Sequence, residues 1–293
     1  MSASFPTVAD MLNHRRPRQA SWAYEQDTRS FVVRAQADLA AGQAVHDSYG
    51  RKCNARFLLN YGFAVEDNYD HDSFKCFNEC ALHVQLDPAD PAIRVKKNLF
   101  GRRAGDLDRD KWGCVVRVSA DWNDMVSREA LSMARFICSR GRELLLLPIL
   151  DEEVNLQETI IAPLSSATEA LALHYLSGLA REQLSRYASK LSWAEDLLSL
   201  QLLPAQSNER NAKVLIAGEK EVCSFWIELE ELCADLLDGA DAEGAAALME
   251  RLRAESRSLQ GCAARRRRVF GDYVENIVLP TIQSFRERAN SPN

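Results

Sequence analysis

Two kinds of hydrophobic spacing divide the chain. In the N-terminal part Trp22 and Tyr24, then Phe31, Val33 and Ala35, alternate with polar residues across a turn at Asp27-Thr28. That is the pattern of two antiparallel strands with one buried face. Ala40-Ala41-Gly42-Gln43 predicts a turn and Val45 to Ser48 a further short strand. Asn54 to Asn60, with Phe57, Leu58 and Leu59, predicts a short helix ended by Gly62. From Asn68 to about Ala120 the pattern is mixed, with strands predicted near Leu82 to Leu86 and Trp112 to Val118, and a turn with a helix start at Asp87 to Pro91.

From about Asp121 onward the spacing becomes helical. Met125 to Ser139 predicts a helix with Gly141 as its cap, and Ser166 with Glu169 reads as a capping box before a long helix with apolar positions from Leu171 to Leu191. Another helix starts at Ser207 or Asn208, and Val222, Phe225, Trp226, Leu229, Leu232 and Leu236 form its packed face. Gly239 to Gly244 breaks it, and helices follow over about 245–259 and 263–288, the last interrupted at Pro280. The fold class is therefore α+β: a β-rich part over 1–72, a mixed transition over 73–120 and an all-helical part over 121–293.

The composition, 46% hydrophobic and 27% charged, suits a globular protein with a sizeable core. A net charge of −6 argues against a dedicated nucleic-acid binder, whose affinity needs a basic surface. No run of ~18 apolar residues calls for a membrane, and Met1 to Pro6 lack the pattern of a secretory signal, so an intracellular soluble location is expected. The eight cysteines, at 53, 76, 80, 114, 138, 223, 233 and 262, stand singly beside apolar residues and read as buried free thiols.

Polar clusters without periodicity mark the candidate sites. Asn13-His14 could be a metal-ligand pair, a catalytic histidine or an ordinary loop, but no Cys or His stands near it at zinc spacing. Cys76, Cys80 and His83, at C-x3-C-x2-H, read as thiols and a surface histidine rather than a metal site. No metal site is assigned. Cys53 beside Arg51 and Lys52 reads as a turn rather than a nucleophile, and no Gly-rich phosphate loop occurs. Arg265-Arg266-Arg267-Arg268 reads as a solvated helix face before a nucleic-acid contact. Tyr49 sits in Ser48-Tyr49-Gly50, at a strand end where the chain turns away, and on composition alone it reads as a core aromatic.

Taken together, Asp10-Met11-Leu12-Asn13-His14, Ala41-Gly42-Gln43 through Asp47-Ser48-Tyr49-Gly50, Asn54 and Tyr61-Gly62-Phe63 resemble the C-terminal half of a SET methyltransferase domain. The resemblance is to the class of the Rubisco large-subunit lysine methyltransferase and the actin-histidine methyltransferase. Asn208 to Ala212 leading to Ala217-Gly218-Glu219-Lys220-Glu221-Val222 is similar to a late helix of that class's all-α substrate-binding domain.

The resemblance implies an S-adenosylmethionine-dependent protein methyltransferase acting on lysine, with histidine as the lesser choice. It implies Tyr49 as catalytic tyrosine, Asp10, Asn13 and His14 at the cofactor, and Tyr61 lining the substrate channel and the cofactor side. The partner implied is a protein substrate gripped by the helical part, with no nucleic acid and no membrane. The SET strands with a Gly-x-Gly element belong before Asp10, so the chain reads as a partial SET domain that does not methylate alone. The alternative is a non-catalytic protein-interaction module with a degenerate SET remnant.

Overall fold

The computed structural model describes residues 11–70, 72–101, 112–145 and 162–290. Among these residues the strands form three two-stranded sheets. Strand β1 (Asn13–His14) pairs in parallel with β4 (His46–Asp47), β2 (Ala20–Glu25) pairs antiparallel with β3 (Ser30–Ala35), and β5 (Glu79–Gln85) pairs antiparallel with β6 (Gly113–Ser119). The β2–β3 register sets Trp22 opposite Val33 and Tyr24 opposite Phe31. The predicted buried face of this hairpin is nevertheless open, with Trp22 58% and Tyr24 56% exposed. A two-stranded ribbon can satisfy its hydrogen bonds without covering either face.

Helix α1 (Asn54–Tyr61) follows the first strands, α2 (Ile93–Gly101) lies between β5 and β6, and α3 (Met125–Cys138) opens the helical body. The body continues with α4 (Ser166–Arg186), α5 (Trp193–Leu198), α6 (Asn208–Asp238), α7 (Ala242–Ser258), α8 (Gly261–Tyr273) and α9 (Leu279–Asn290). Helix α4 packs along α6, and α3 against α4 and β6. The main core joins Leu82 of β5 and Val118 of β6 to Leu176 of α4, Phe225 and Trp226 of α6 and Phe270 of α8. Indole N–H groups pin its edges, Trp226 donating to the Ser119 carbonyl at 3.0 Å and Trp122 to that of Val269 at 3.1 Å.

Three terminal signals resolve differently from the sequence reading. Ser165, not Ser166, caps α4, its hydroxyl accepting from the Thr168 N–H at 3.1 Å. Glu169 is not a capping residue, because its carboxylate is buried against Arg135, at 2.6 and 2.7 Å, and accepts from the Tyr273 hydroxyl. A reciprocal capping box does occur at Ser192 and Glu195, at the start of α5. Helix α3 ends at an extended Ser139, while Gly141, at φ 54, opens a short 3-10 turn. Around Pro280 the chain is not broken: a π turn over Val274–Val278 lets the Leu279 N–H reach the Val274 carbonyl, and this wider turn absorbs the proline.

Helix α6 is the common partner of both parts. Gly218 lies against the Asn78 side chain, Glu219 accepts from the Tyr187 hydroxyl at 2.6 Å, and Lys220 binds Asp196 at 2.5 Å and the carbonyls of Ser189 and Leu191 at 2.9 and 2.8 Å. Glu221 accepts from Tyr69. Near its start, Asn211 accepts from the Ala64 N–H at 3.1 Å and Arg210 binds Glu66 at 2.8 Å. The N-terminal part is thus tied directly to the helical body.

Candidate active site

Strands β1 and β4 bring the two polar clusters of the N-terminal part into register, with Asn13 opposite His46 and His14 opposite Asp47. The Arg15 N–H continues the ladder to the Asp47 carbonyl at 2.9 Å. Just past β4, the Tyr49 N–H donates to His14 Nδ1 at 3.0 Å, and the Tyr49 hydroxyl donates to the Leu12 carbonyl at 2.8 Å. Tyr49 is therefore held at both its backbone and its side-chain ends by the segment carrying Asn13 and His14.

An aromatic nest surrounds this junction. The His14 ring lies 4.9 Å from Phe57, 5.3 Å from Tyr49 and 6.0 Å from Phe63, and Tyr49 lies 4.6 Å from Tyr61. Phe57, fully buried on α1, is its base. Gly62 makes the nest possible: at φ 77 it takes the left-handed conformation that closes α1, and the chain turns back to set Phe63 5.3 Å from Phe57. Asn54, 2% exposed, clamps the same return by exchanging two hydrogen bonds with Val65, at 3.0 and 2.8 Å.

The loop after Tyr49 is gripped from below. Gly50, at φ 86, turns the chain; its carbonyl accepts from Arg16 at 2.7 Å, and the other arm of that guanidinium donates to Asn68 at 2.6 Å. Arg16 also lies 4.5 Å over the Phe77 ring. Fully buried Asn68 donates to the Lys52 carbonyl at 3.1 Å and to Asn78 at 2.9 Å, and the Lys52 ammonium donates to the Tyr49 carbonyl.

Electrostatics set the protonation states. Burial, aided by the charges of Arg16 and Lys52 and opposed by Asp47, lowers the His14 pKa to about 4. The ring is neutral, and since Nδ1 accepts from Tyr49, its proton is on Nε2. That Nε2 is buried and has no hydrogen-bond partner among the described residues. Burial, with Tyr61 and Asp47, pushes the Tyr49 phenol up, so it remains protonated at neutral pH.

Of the residues singled out in the sequence, His14, Tyr49 and Tyr61 meet in this nest. Asn13 stands beside it on the ladder with an exposed side chain, and Asp10 lies outside the described residues. Arg16, Asn68 and Phe57 carry much of the geometry, although the sequence reading assigned them no role. Arg16 lies in a loop without periodicity, and its acceptor Gly50 is 34 residues away.

The remaining candidates separate. Cys76 donates to Glu221 at 3.6 Å and Cys80 lies 3.5 Å from Cys223, both buried, while His83 is exposed on the other face of β5. Among the described residues no three His, Cys, Asp or Glu side chains are placed to hold a metal. Of the arginine run, Arg265 pairs with Asp121 at 2.6 Å, Arg266 with Glu228 at 2.8 Å and Arg267 with Glu255 at 3.1 Å. No helix among the described residues is long and apolar enough to cross a membrane.

This α+β fold is that of the SET-domain methyltransferase structures. A crystal structure of the SET domain of LSMT bound to methyl-lysine and AdoHcy aligns over 79% of this chain and 50% of its own, at 18% identity and a TM-score of 0.54. Rubisco LSMT bound to AdoMet aligns over the same shares, at 19% identity and a TM-score of 0.52. Residues 87–222 match the family model for Rubisco LSMT substrate-binding. The ribosomal lysine N-methyltransferase set10 of Schizosaccharomyces pombe is 30% identical over 93 residues, 31% of this chain and 16% of that protein. The chain spans about half the length of the solved structures it resembles.

Proposed function

We propose that this chain belongs to an S-adenosylmethionine-dependent protein methyltransferase, with lysine as the acceptor and histidine as the lesser choice. One observation carries the reading: the buried His14 Nε2–H has no hydrogen-bond partner among the described residues, beside a phenol clamped by backbone and side-chain bonds. A buried donor left unpaired costs about 1–3 kcal/mol, so an acceptor on a ligand is a fitting occupant. The adenine of S-adenosylmethionine offers ring-nitrogen acceptors of that kind, and the solved structures of like fold hold AdoMet or AdoHcy.

The residues assigned to the donor are Asn13 and His14, with Tyr61 at the channel; Asp10 belongs to the same assignment. When bound, S-adenosylmethionine supplies a methyl group activated by its sulfonium. The substrate brings the nucleophilic nitrogen, so the chain's task is alignment and exclusion of water. Tyr49 is the catalytic tyrosine in this reading: its raised pKa keeps the hydroxyl a neutral donor, and the Leu12 carbonyl fixes its direction. Residues 121–293 grip the protein substrate, 1–72 supply the SET half and 73–120 join them.

A second reading has its own support. Met11 is 78% and Tyr61 45% exposed, Asn13 is open, and β1 and β4 pair over two residues only, so the described residues form one wall of a pocket. A non-catalytic interaction module fits that openness, and so does an opposite wall supplied from outside the described residues. Calorimetric titration with S-adenosylmethionine, followed by mass spectrometry of candidate substrate proteins, separates the readings. Lysine methylation that disappears in Tyr49→Phe supports the enzyme. Donor binding without transfer to any protein favours the interaction module, and methylation confined to histidine corrects the acceptor.

A further inference from the structure

Cys80 on β5 and Cys223 on α6 are separated by 143 positions in the chain, yet their sulfurs meet at 3.5 Å. Both are free thiols, 1% and 0% exposed, and a hydrogen bond in which either sulfur can donate joins them. They belong to the main core, with Leu82, Val222 and Phe225, and not to the nest around Tyr49.

The contact is set by two regular elements that approach closely. Cys80 faces inward on the alternating side of β5, and Asn78, just ahead of that strand, lies against Gly218, earlier on α6. A Cβ at Gly218 would come within 2.5 Å of the Asn78 side chain, so the bare glycine is what lets strand and helix draw together along this line. Sulfurs in a disulfide lie about 2.05 Å apart, so closing the bond asks for an approach of roughly 1.5 Å, shared between two side chains. Folding has already closed the long loop between them, which is the larger entropic obstacle to such a link.

Burial governs the rate of linking and not its equilibrium. The hydrogen bond to Cys80, and then burial, push the Cys223 thiol up, so its thiolate is suppressed while the core is closed. Exchange therefore waits for β5 to part from α6, and the native contact favours the linked product when they close again.

We propose that Cys80 and Cys223 form a dithiol pair that closes to a disulfide under oxidising conditions and locks β5 onto α6. With glutathione disulfide as the oxidant, one cysteine thiolate attacks a glutathione sulfur and expels a glutathione thiolate. The other cysteine then attacks the mixed disulfide and expels the second. One S–S bond breaks and one forms, the cysteine sulfurs are oxidised, and their two protons end on two glutathione thiols. The link needs neither methyl donor nor Tyr49, so it stands or falls apart from the methyltransferase reading.

The test equilibrates the full chain with millimolar glutathione disulfide until hydrogen exchange shows that β5 has opened. Remaining thiols are blocked with N-ethylmaleimide under denaturing conditions, and the peptides are mapped without reduction. The expected product is a peptide pair joined through Cys80 and Cys223, two hydrogens lighter than the separate peptides and released by dithiothreitol. The linked chain should unfold at a higher midpoint temperature, a gain that Cys223→Ala should lack. Recovery of the two cysteines as maleimide adducts, as separate glutathione adducts or in links to other cysteines overturns the assignment. Should Cys223→Ala fail to fold, the peptide map of the unaltered chain decides.

Discussion

Tyr49 and His14 are joined across 35 residues by a hydrogen bond that only a neutral imidazole can accept: the Tyr49 N–H donates to Nδ1 at 3.0 Å. A protonated ring carries hydrogen on both nitrogens and would face the Tyr49 N–H with a donor. The bond and the lowered pKa of His14 are thus two views of one constraint, and it ties the position of Tyr49 to pH.

In the unfolded chain His14 titrates near its ordinary value of 6.5, and in the folded chain at about 4. Between those values the unfolded chain binds more protons, so this contribution to stability is complete above the upper value and is lost as pH falls through the window. Urea unfolding from about pH 7 down to about pH 4.5 is expected to show a larger loss in the unaltered chain than in His14→Gln. Carboxylates common to both forms cancel in the comparison. Equal pH slopes would remove His14 from this role.

Arg16 holds the Tyr49 loop through the Gly50 carbonyl and through Asn68, whose own amide reaches the Lys52 carbonyl. Arg16→Ala should cost about 1.5–3 kcal/mol, as for hydrogen bonds from a charged donor. Arg16→Lys should recover less than half of it, because an ammonium cannot span two acceptors while lying flat on Phe77. Denaturation midpoints give the energies, and hydrogen exchange at Lys52 and Cys53 shows whether the loss is local.

Arg135 and Glu169 are 3% and 0% exposed at their side chains, so removing the carboxylate takes the bidentate counter-charge from a buried guanidinium. Glu169→Ala is expected to destabilise by about 3–5 kcal/mol. The double change Arg135→Met with Glu169→Leu should be markedly less harmful than Glu169→Ala alone. Thermal unfolding of the two variants provides the check.

A Cβ on Gly218 would lie 2.5 Å from the Asn78 amide nitrogen, and Asn78 is itself held by Asn68 at 2.9 Å. Gly218→Ala should therefore cost about 1–3 kcal/mol despite the better helix propensity of alanine. In an Asn78→Ala background the same change should cost much less, and a double-mutant cycle measures the difference. Additive effects would show that the helix shifts to accommodate the methyl.

The sequence was most legible where one period governs a whole element. The alternation of β5, with Cys80, Leu82 and Val84 inward, and the stripe of α6 through Phe225, Trp226 and Leu229 both lie as their patterns predict. Signals that depend on one polar residue's choice of partner were misread. Glu169 had the spacing of a capping residue, but the buried guanidinium of Arg135 offered a stronger partner than a backbone N–H. Trp22 and Tyr24 had the alternation of a covered strand, which records what a strand is able to bury rather than what lies above it. The nest around Tyr49 was legible as two clusters of unusual composition. Its supports, Arg16 and Asn68, bond to backbone carbonyls, and a carbonyl leaves no mark on the identity of its residue.

Four consecutive residues of α6, from Gly218 to Glu221, each face a different neighbour: Asn78, Tyr187, Asp196 and Tyr69. At 3.6 residues per turn, inserting or deleting a single residue ahead of this run would rotate all four by about 100° relative to the helix before it. The N-terminal part, held through Asn78 and Tyr69, and the α4–α5 connection, held through Tyr187 and Asp196, would lose their attachments in one step. Each position can be substituted at its own cost, but the spacing is shared by all of them. Changes of chain length are therefore expected to be tolerated beyond the helix ends, before Ser207 or after Gly239, and not between.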